Sequence, residues 1–232
     1  MTQKQRSNSS SFRRKPESSK TKPPRSGQSR TPRSFEKQPN PLDSRLRGNV
    51  GVESAGIILK AGREKSLLRR HPWIFSGAVE RMDGAPAGGD TLPVRSAQGE
   101  FLAWAAYNPG SQITARVWSW REEEIINAEF FRSRIASALA LRHDLKLADE
   151  SSGMRLIHAE SDGLPGLVVD QYGNVLVMQI GSAGAERWRD TCADILQQLC
   201  NPVCIYERSD SDSRTLEGLE LRNGVLRGTL PD

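Results

Sequence analysis

The segment Lys60-Ala61-Gly62-Arg63-Glu64-Lys65-Ser66-Leu67-Leu68-Arg69-Arg70-His71-Pro72-Trp73-Ile74-Phe75-Ser76-Gly77 holds the densest set of side chains able to grip a charged ligand. From Lys60 to Arg81 six Lys and Arg stand against two acids, whereas residues 51–232 together carry 20 Lys and Arg against 25 Asp and Glu. Guanidinium and ammonium groups bind phosphates, and aromatic rings among them stack unpaired bases, so this mixture suits an RNA-binding surface. Lys60, Arg63, Lys65, Arg69 and Arg70 are the candidate phosphate ligands; the alternative is an ordinary solvated face. His71 adds positive charge when protonated. Trp73 and Phe75 are expected to be core residues of the surrounding fold, with base stacking as the alternative.

Two other constellations invite chemistry and have simpler explanations. Glu160, Asp162 and Asp170 surround Ser161-Asp162-Gly163-Leu164-Pro165-Gly166. Gathered carboxylates can do acid/base or metal work, but Asp-Gly and Pro-Gly are strong turn formers, and the flanking apolar runs need a reversal. Cys192, Cys200 and Cys204 fall within thirteen positions, in the pattern of neither a disulfide framework nor a pair of CxxC knuckles. They read as reduced, mostly buried thiols. His158 is isolated at a strand end. No catalytic, cofactor-binding or metal-ligating residue is assigned.

The basic character of the whole chain, net +5, comes from its beginning. Residues 1–50 hold thirteen Lys and Arg against three acids, with ten Ser, six Pro and few large apolar side chains. Such a segment buries too little area to offset its ordering entropy, so residues 1–54 are expected to be a disordered basic tail. It would add nonspecific phosphate affinity or be solvated ballast. The stretches Ser11 to Ser18 and Leu42 to Asn49 resemble translated bacterial intergenic repeats, which would put the native start near Val50 or Val52. The sequence has no run of about 18 apolar residues and no secretory signal, so a cytoplasmic protein is expected.

The elements that must position the basic segment begin at Gly56. Ile57-Ile58-Leu59, Trp73-Ile74-Phe75, Thr91 to Val94, Phe101 to Tyr107 and Gln112 to Trp120 read as five strands. In the last, Ile113, Ala115 and Val117 share one face, and Thr114, Arg116, Trp118 and Trp120 the other. A helix over Arg63 to Arg70 turns Leu67 and Leu68 inward and sets Lys65 and Arg69 on one outer face. These elements together predict a small, partly closed β-barrel over residues 55–125.

Asn127 to Lys146 reads as a linking helix with Phe131, Ile135, Ala138 and Leu145 near one stripe. A second, α+β module completes residues 126–232. Its strands are Leu156 to His158, Gly166 to Asp170, Val175 to Ile180 and Val203 to Glu207, with a turn at Tyr172-Gly173-Asn174. A helix from Ala183 to Cys200 carries Trp188, Cys192, Ile195, Leu196 and Leu199 on its apolar stripe. Leu219 to Leu221 and Val225 to Arg227 are expected to close a hairpin around Asn223-Gly224.

LKAGREKSLLRRHPWIFSGAV, beginning at Leu59, resembles the PUA domain of the bacterial large-subunit ribosomal RNA cytosine-C5 methyltransferases. RLIHAESDGLPGLVVDQYGNVLVMQ, from Arg155 to Gln179, resembles their central domain, and Ser182 to Glu186 and Ile205 to Ser209 fit the same pattern. The resemblance implies an α+β chain that recognises large-subunit ribosomal RNA through the face carrying the Arg63 to Arg70 helix. It also implies S-adenosylmethionine as the family's methyl donor, bound by a further domain with a Gly-rich turn, an Asp-Pro-Pro motif and a late nucleophilic cysteine. The sequence contains no GxGxxG and no Asp-Pro-Pro. The expectation is therefore RNA recognition without catalysis by these residues, with ribosomal RNA as partner and a separately encoded methyltransferase domain as a second candidate partner. A stand-alone RNA-binding protein and a truncated gene product are the alternatives. Leu216 departs from the family, standing where a basic residue is usual.

Overall fold

The computed structural model describes residues 55–145 and 153–231. The expected tail and the last residue of the expected linking helix, Lys146, lie outside these residues. All the described residues fall in one compact unit, built around two sheets.

The first sheet has six strands: β1 (Gly56–Leu59), β2 (Trp73–Phe75), β3 (Val79–Asp83), β4 (Thr91–Arg95), β5 (Phe101–Tyr107) and β6 (Ile113–Ser119). Their order is β2-β6-β5-β4-β1-β3, antiparallel except where β1 runs parallel to β4. Strands β2 and β3 sit at opposite edges, yet only the 3-10 turn Ser76–Ala78 joins them. Four residue steps span at most about 14 Å, while the edges of a flat six-stranded sheet lie about 24 Å apart. The connection forces the sheet to curl into the expected partly closed barrel. Its interior is filled by Ile57, Leu59, Leu67, Ile74, Leu92, Val94, Ala103, Ala105, Ala115 and Val117. Strand β3 is a sixth strand that the sequence pattern does not mark, because Val79-Glu80-Arg81-Met82-Asp83 lacks a clear apolar alternation.

The second sheet contains β7 (Met154–His158), β8 (Leu167–Tyr172), β9 (Val175–Ile180), β10 (Cys204–Ser209) and β11 (Arg222–Gly228), in the order β11-β10-β9-β8-β7. The turn at Tyr172-Gly173-Asn174 joins β8 to β9 as expected. The expected Ala183 to Cys200 helix is two helices meeting at Trp188, Ala183–Arg187 and Arg189–Cys200. They make the crossover that lets β10 run parallel to β9.

The expected closing hairpin is incorrect. Asn223-Gly224 lies inside β11, paired with Arg208 and Glu207 of β10. The reversal is made earlier, by the short helix Asp212–Leu216. There the buried Arg214 donates to the Ile180 carbonyl at 3.0 Å and to Glu186 Oε2 at 2.7 Å. A reversal held by a buried guanidinium leaves no Asn-Gly requirement for the chain to obey.

Helices α1 (Lys65–Leu68), α2 (Ala128–Asp144) and α3 (Ala183–Arg187) pack against these sheets and position the site. Asn127 caps α2, its side chain accepting from the Phe130 amide at 3.0 Å. Phe130, Phe131, Ile135 and Ala138 are buried, whereas Leu145 sits past the last helical turn and is exposed. Trp118, on the outward face of β6, enters the second core instead of solvent. Its ring meets Phe131 edge-on at 5.1 Å, and Phe131 lies 4.6 Å from Trp188.

Helix α3 completes that junction at Gly184. A methyl group there would stand 2.4 Å from Ala106 Cβ and 2.8 Å from the Trp118 ring. Gly184→Ala is expected to overpack the junction and cost about 1–3 kcal/mol, read as a lowered urea midpoint.

Candidate nucleic-acid interface

The basic segment sits where the barrel's first strand hands over to α1. Leu67 anchors α1 in the barrel, but Leu68, expected inward, is 64% exposed because four helical residues give only one buried position. Two features stop the helix. Arg70 takes a left-handed backbone at φ 65°, its amide donating to Leu67 O at 2.9 Å. Pro72 then disfavours helical geometry at His71.

Lys60, Arg63, Lys65, Arg69, Arg70 and His71 are all exposed. Lys60 Nζ donates to the Gly77 carbonyl at 3.1 Å. The Arg70 guanidinium lies 5.2 Å from the Trp120 ring centroid, and Trp120 Nε1 donates to Leu67 O at 3.2 Å. His71 Nδ1 accepts from the Trp73 amide at 3.2 Å, which fixes the imidazole beside the indole. Among the described residues none of the five candidate cations makes an ion pair, so their charge is available to a ligand.

The expectation that Trp73 and Phe75 are core residues is not met. Strand β2 is three residues long, and alternation gives only Ile74 to the barrel. Phe75 is 48% exposed, and Trp73 is partly buried with its Nε1 donating to Glu160 Oε1 at 2.7 Å. The two rings pack edge-on at 6.4 Å. They form a wall shared by two hollows. The smaller, about 260 Å³, includes Arg63 and Ser66. The larger, about 740 Å³, opens between β2, β6 and the second sheet.

The floor of the larger cleft is a polar cluster that sequence reasoning did not assemble. Arg116, on the outward face of β6, donates to Glu160 Oε1 at 3.1 Å and to Glu217 Oε1 at 2.8 Å. Its guanidinium also lies 5.3 Å from the Trp73 ring centroid. The buried Glu217 carboxylate further accepts from Asn108 Nδ2 at 2.8 Å and Ser111 Oγ at 2.9 Å. The outward position of Arg116 is legible in the alternation of β6, but its partners stand 44 and 101 residues away. Leu216, the departure from the family pattern, is 75% exposed at the cleft's rim.

The other carboxylates and the thiols have structural duties. Asp162 accepts two hydrogen bonds from Arg142, at 2.6 and 2.8 Å, and one from the His158 amide at 2.6 Å. Asp170 holds Arg155 in a two-bond pair at 2.8 and 3.0 Å. Gly163 and Gly166, at φ 69° and 79°, make the expected reversal between β7 and β8. Cys192 and Cys204 are buried, and Cys200 is partly so. Burial pushes all three thiols up, Cys192 to about 12, which keeps them protonated and poorly nucleophilic at neutral pH.

With this geometry in place, the first module can be compared with known proteins. A family model described as a PUA-like domain matches residues 57–120. The chain is 53% identical over 176 residues to the ribosomal RNA large subunit methyltransferase I of Erwinia tasmaniensis, and 51% identical over 176 residues to that of Yersinia pseudotuberculosis. Each alignment covers 75% of this chain and 44% of the relative, so the chain spans less than half the length of the curated relatives it matches. Among solved structures, a Streptococcus mutans protein assigned to the SAM-dependent methyltransferases superposes with a TM-score of 0.61 at 16% identity. That superposition covers 76% of this chain and 44% of the other, and it shows a shared fold.

The glycine-containing turn from a strand into a helix, Gly181-Ser182-Ala183-Gly184, faces β5 and β6 of the barrel and leaves no space there for S-adenosylmethionine. Ser182 Oγ accepts the Ala185 amide at 3.2 Å, and Gly184 abuts Ala106 and Trp118. No helix among the described residues is long and apolar enough to cross a membrane.

Two outcomes test the cluster and the thiols. Arg116→Met leaves the buried Glu217 without its cation and is expected to cost about 3–5 kcal/mol, measured by urea unfolding. For Cys192 the folded pKa exceeds the ordinary value near 9, so its contribution is complete below about pH 9 and is lost as pH rises towards 12. The stability deficit of Cys192→Ala relative to the unsubstituted chain is therefore expected to shrink between pH 8 and pH 10.5.

Proposed function

We propose that this chain is the RNA-recognition part of a large-subunit ribosomal RNA cytosine-C5 methyltransferase. In this reading the PUA-like barrel of residues 55–125 and the α+β domain of residues 126–232 hold the RNA, and a methyltransferase domain, in the same protein or separately encoded, supplies the chemistry. The observation that carries the reading is the unpaired, exposed charge of Lys60, Arg63, Lys65, Arg69 and Arg70 beside β2 of a PUA-like domain. Each cation that neutralises a phosphate releases counterions and adds salt-dependent affinity. His71 adds charge to the same segment when protonated.

The methyl donor in this proposal is S-adenosylmethionine, held outside the described residues. Attack on C6 of cytosine requires a thiolate, and the protonated thiols of the buried Cys192 and Cys204 and the partly buried Cys200 do not provide one. Large-subunit ribosomal RNA is the proposed partner and the cytoplasm the proposed location, on the strength of the names of the similar methyltransferases.

The test is a salt series for binding of the 232-residue chain to a large-subunit ribosomal RNA fragment. The pair Arg69→Ala and Arg70→Ala is expected to weaken binding and to reduce the slope of log affinity against log salt by about two. An unchanged slope would overturn the assignment of these residues.

A further inference from the structure

We propose that the cleft of about 740 Å³ between the PUA-like barrel and the second sheet is a receptor for one unstacked nucleobase, with Phe75 as its stacking platform. The inference rests on the RNA-binding reading above and adds to it a site for a base beside the sites for phosphates. Its volume falls within the range of roughly 300–1,000 Å³ typical of pockets that enclose small organic ligands.

The cleft has the composition that a base requires. Its apolar sides are Phe75, Ile113 and Val168, and its floor is Arg116 and Glu160. Phe75 is the informative residue. Strand β2 spends its one inward position on Ile74, so the neighbouring ring is left 48% exposed against an open hollow instead of being packed. An aromatic ring supported edge-on by Trp73 and open on another side is a stacking surface that any base can use. Glu160 supplies the polar contact. Its Oε1 is taken by Trp73 and Arg116, while its Oε2 has no partner among the described residues. A free carboxylate oxygen accepts from an N–H donor, and every RNA base carries one on its pairing edge. The site therefore distinguishes a base from no base, not one base from another.

Continuity with the basic segment selects a nucleic acid as the occupant. Trp73 and Phe75 line both this cleft and the smaller hollow that includes Arg63. A strand with phosphates along residues 60–71 would thus meet the cleft across a single aromatic wall. The arrangement pairs an electrostatic track with a stacking platform, as single-strand binding requires.

The experiment compares the 232-residue chain's affinity, by fluorescence anisotropy at fixed salt, for a labelled twelve-nucleotide oligo(U) and for a ribose-phosphate oligomer of equal length lacking bases. The two carry the same phosphates, so their ratio isolates the base. The unsubstituted chain is expected to prefer oligo(U) by roughly 5- to 150-fold. Phe75→Ala should bring the ratio close to one with affinity for the abasic oligomer unchanged, and Phe75→Tyr should retain the preference. Equal affinity of the unsubstituted chain for both oligomers would overturn the base site while leaving the phosphate reading intact. An equal loss for both oligomers in Phe75→Ala would also overturn it, by making Phe75 a support of the fold. Failure to bind either oligomer would overturn this inference together with the RNA-binding reading.

Discussion

Strand β6 serves two cores at once, and the relation between the two sheets depends on it. Ala115 and Val117 close the barrel interior, while Trp118 enters the second core against Phe131. Two positions before Trp118 on the same face, Arg116 ties the barrel to Glu160 and Glu217 of the second module. Aromatic contact and ion pair act differently. Burial of Trp118 provides a nondirectional driving force, whereas the planar guanidinium fixes the angle at which its carboxylates meet it.

The cleft is a consequence of that attachment. Arg116 spans the gap between Glu160 and Glu217, so side chains above it cannot close into a continuous core. Trp73 is held at the edge by the same Glu160 oxygen that Arg116 uses, and Phe75 comes two residues later on the same side of β2. The basic segment lies immediately before this wall in sequence, with the helix stop at Arg70 and Pro72 carrying the chain from one to the other.

Local patterning made much of the fold legible. Turn residues marked the β8–β9 connection, and periodicity placed Phe131, Ile135 and Ala138 on the buried side of α2. Charge contrast isolated Lys60, Arg63, Lys65, Arg69 and Arg70 without any reference to structure. Errors came where a local signal had a distant competitor. Asn223-Gly224 has the composition of a turn, yet the buried Arg214 and the pairing with β10 hold it in a strand. Leu68 and Phe75 looked apolar enough for a core but fall on outward positions of very short elements.

The sequence by itself determined the α+β class and the basic segment, because composition, periodicity and turn chemistry act over a few residues. Tertiary structure alone decided that Trp118 joins the second core, that Arg116 gathers Glu160 and Glu217, and that Phe75 is left open on a cleft. Those outcomes depend on contacts between residues up to about a hundred positions apart, such as Arg116 and Glu217 at a separation of 101. Alternation reports which side of a strand a residue occupies; only packing decides whether that side meets water, a second core or a carboxylate.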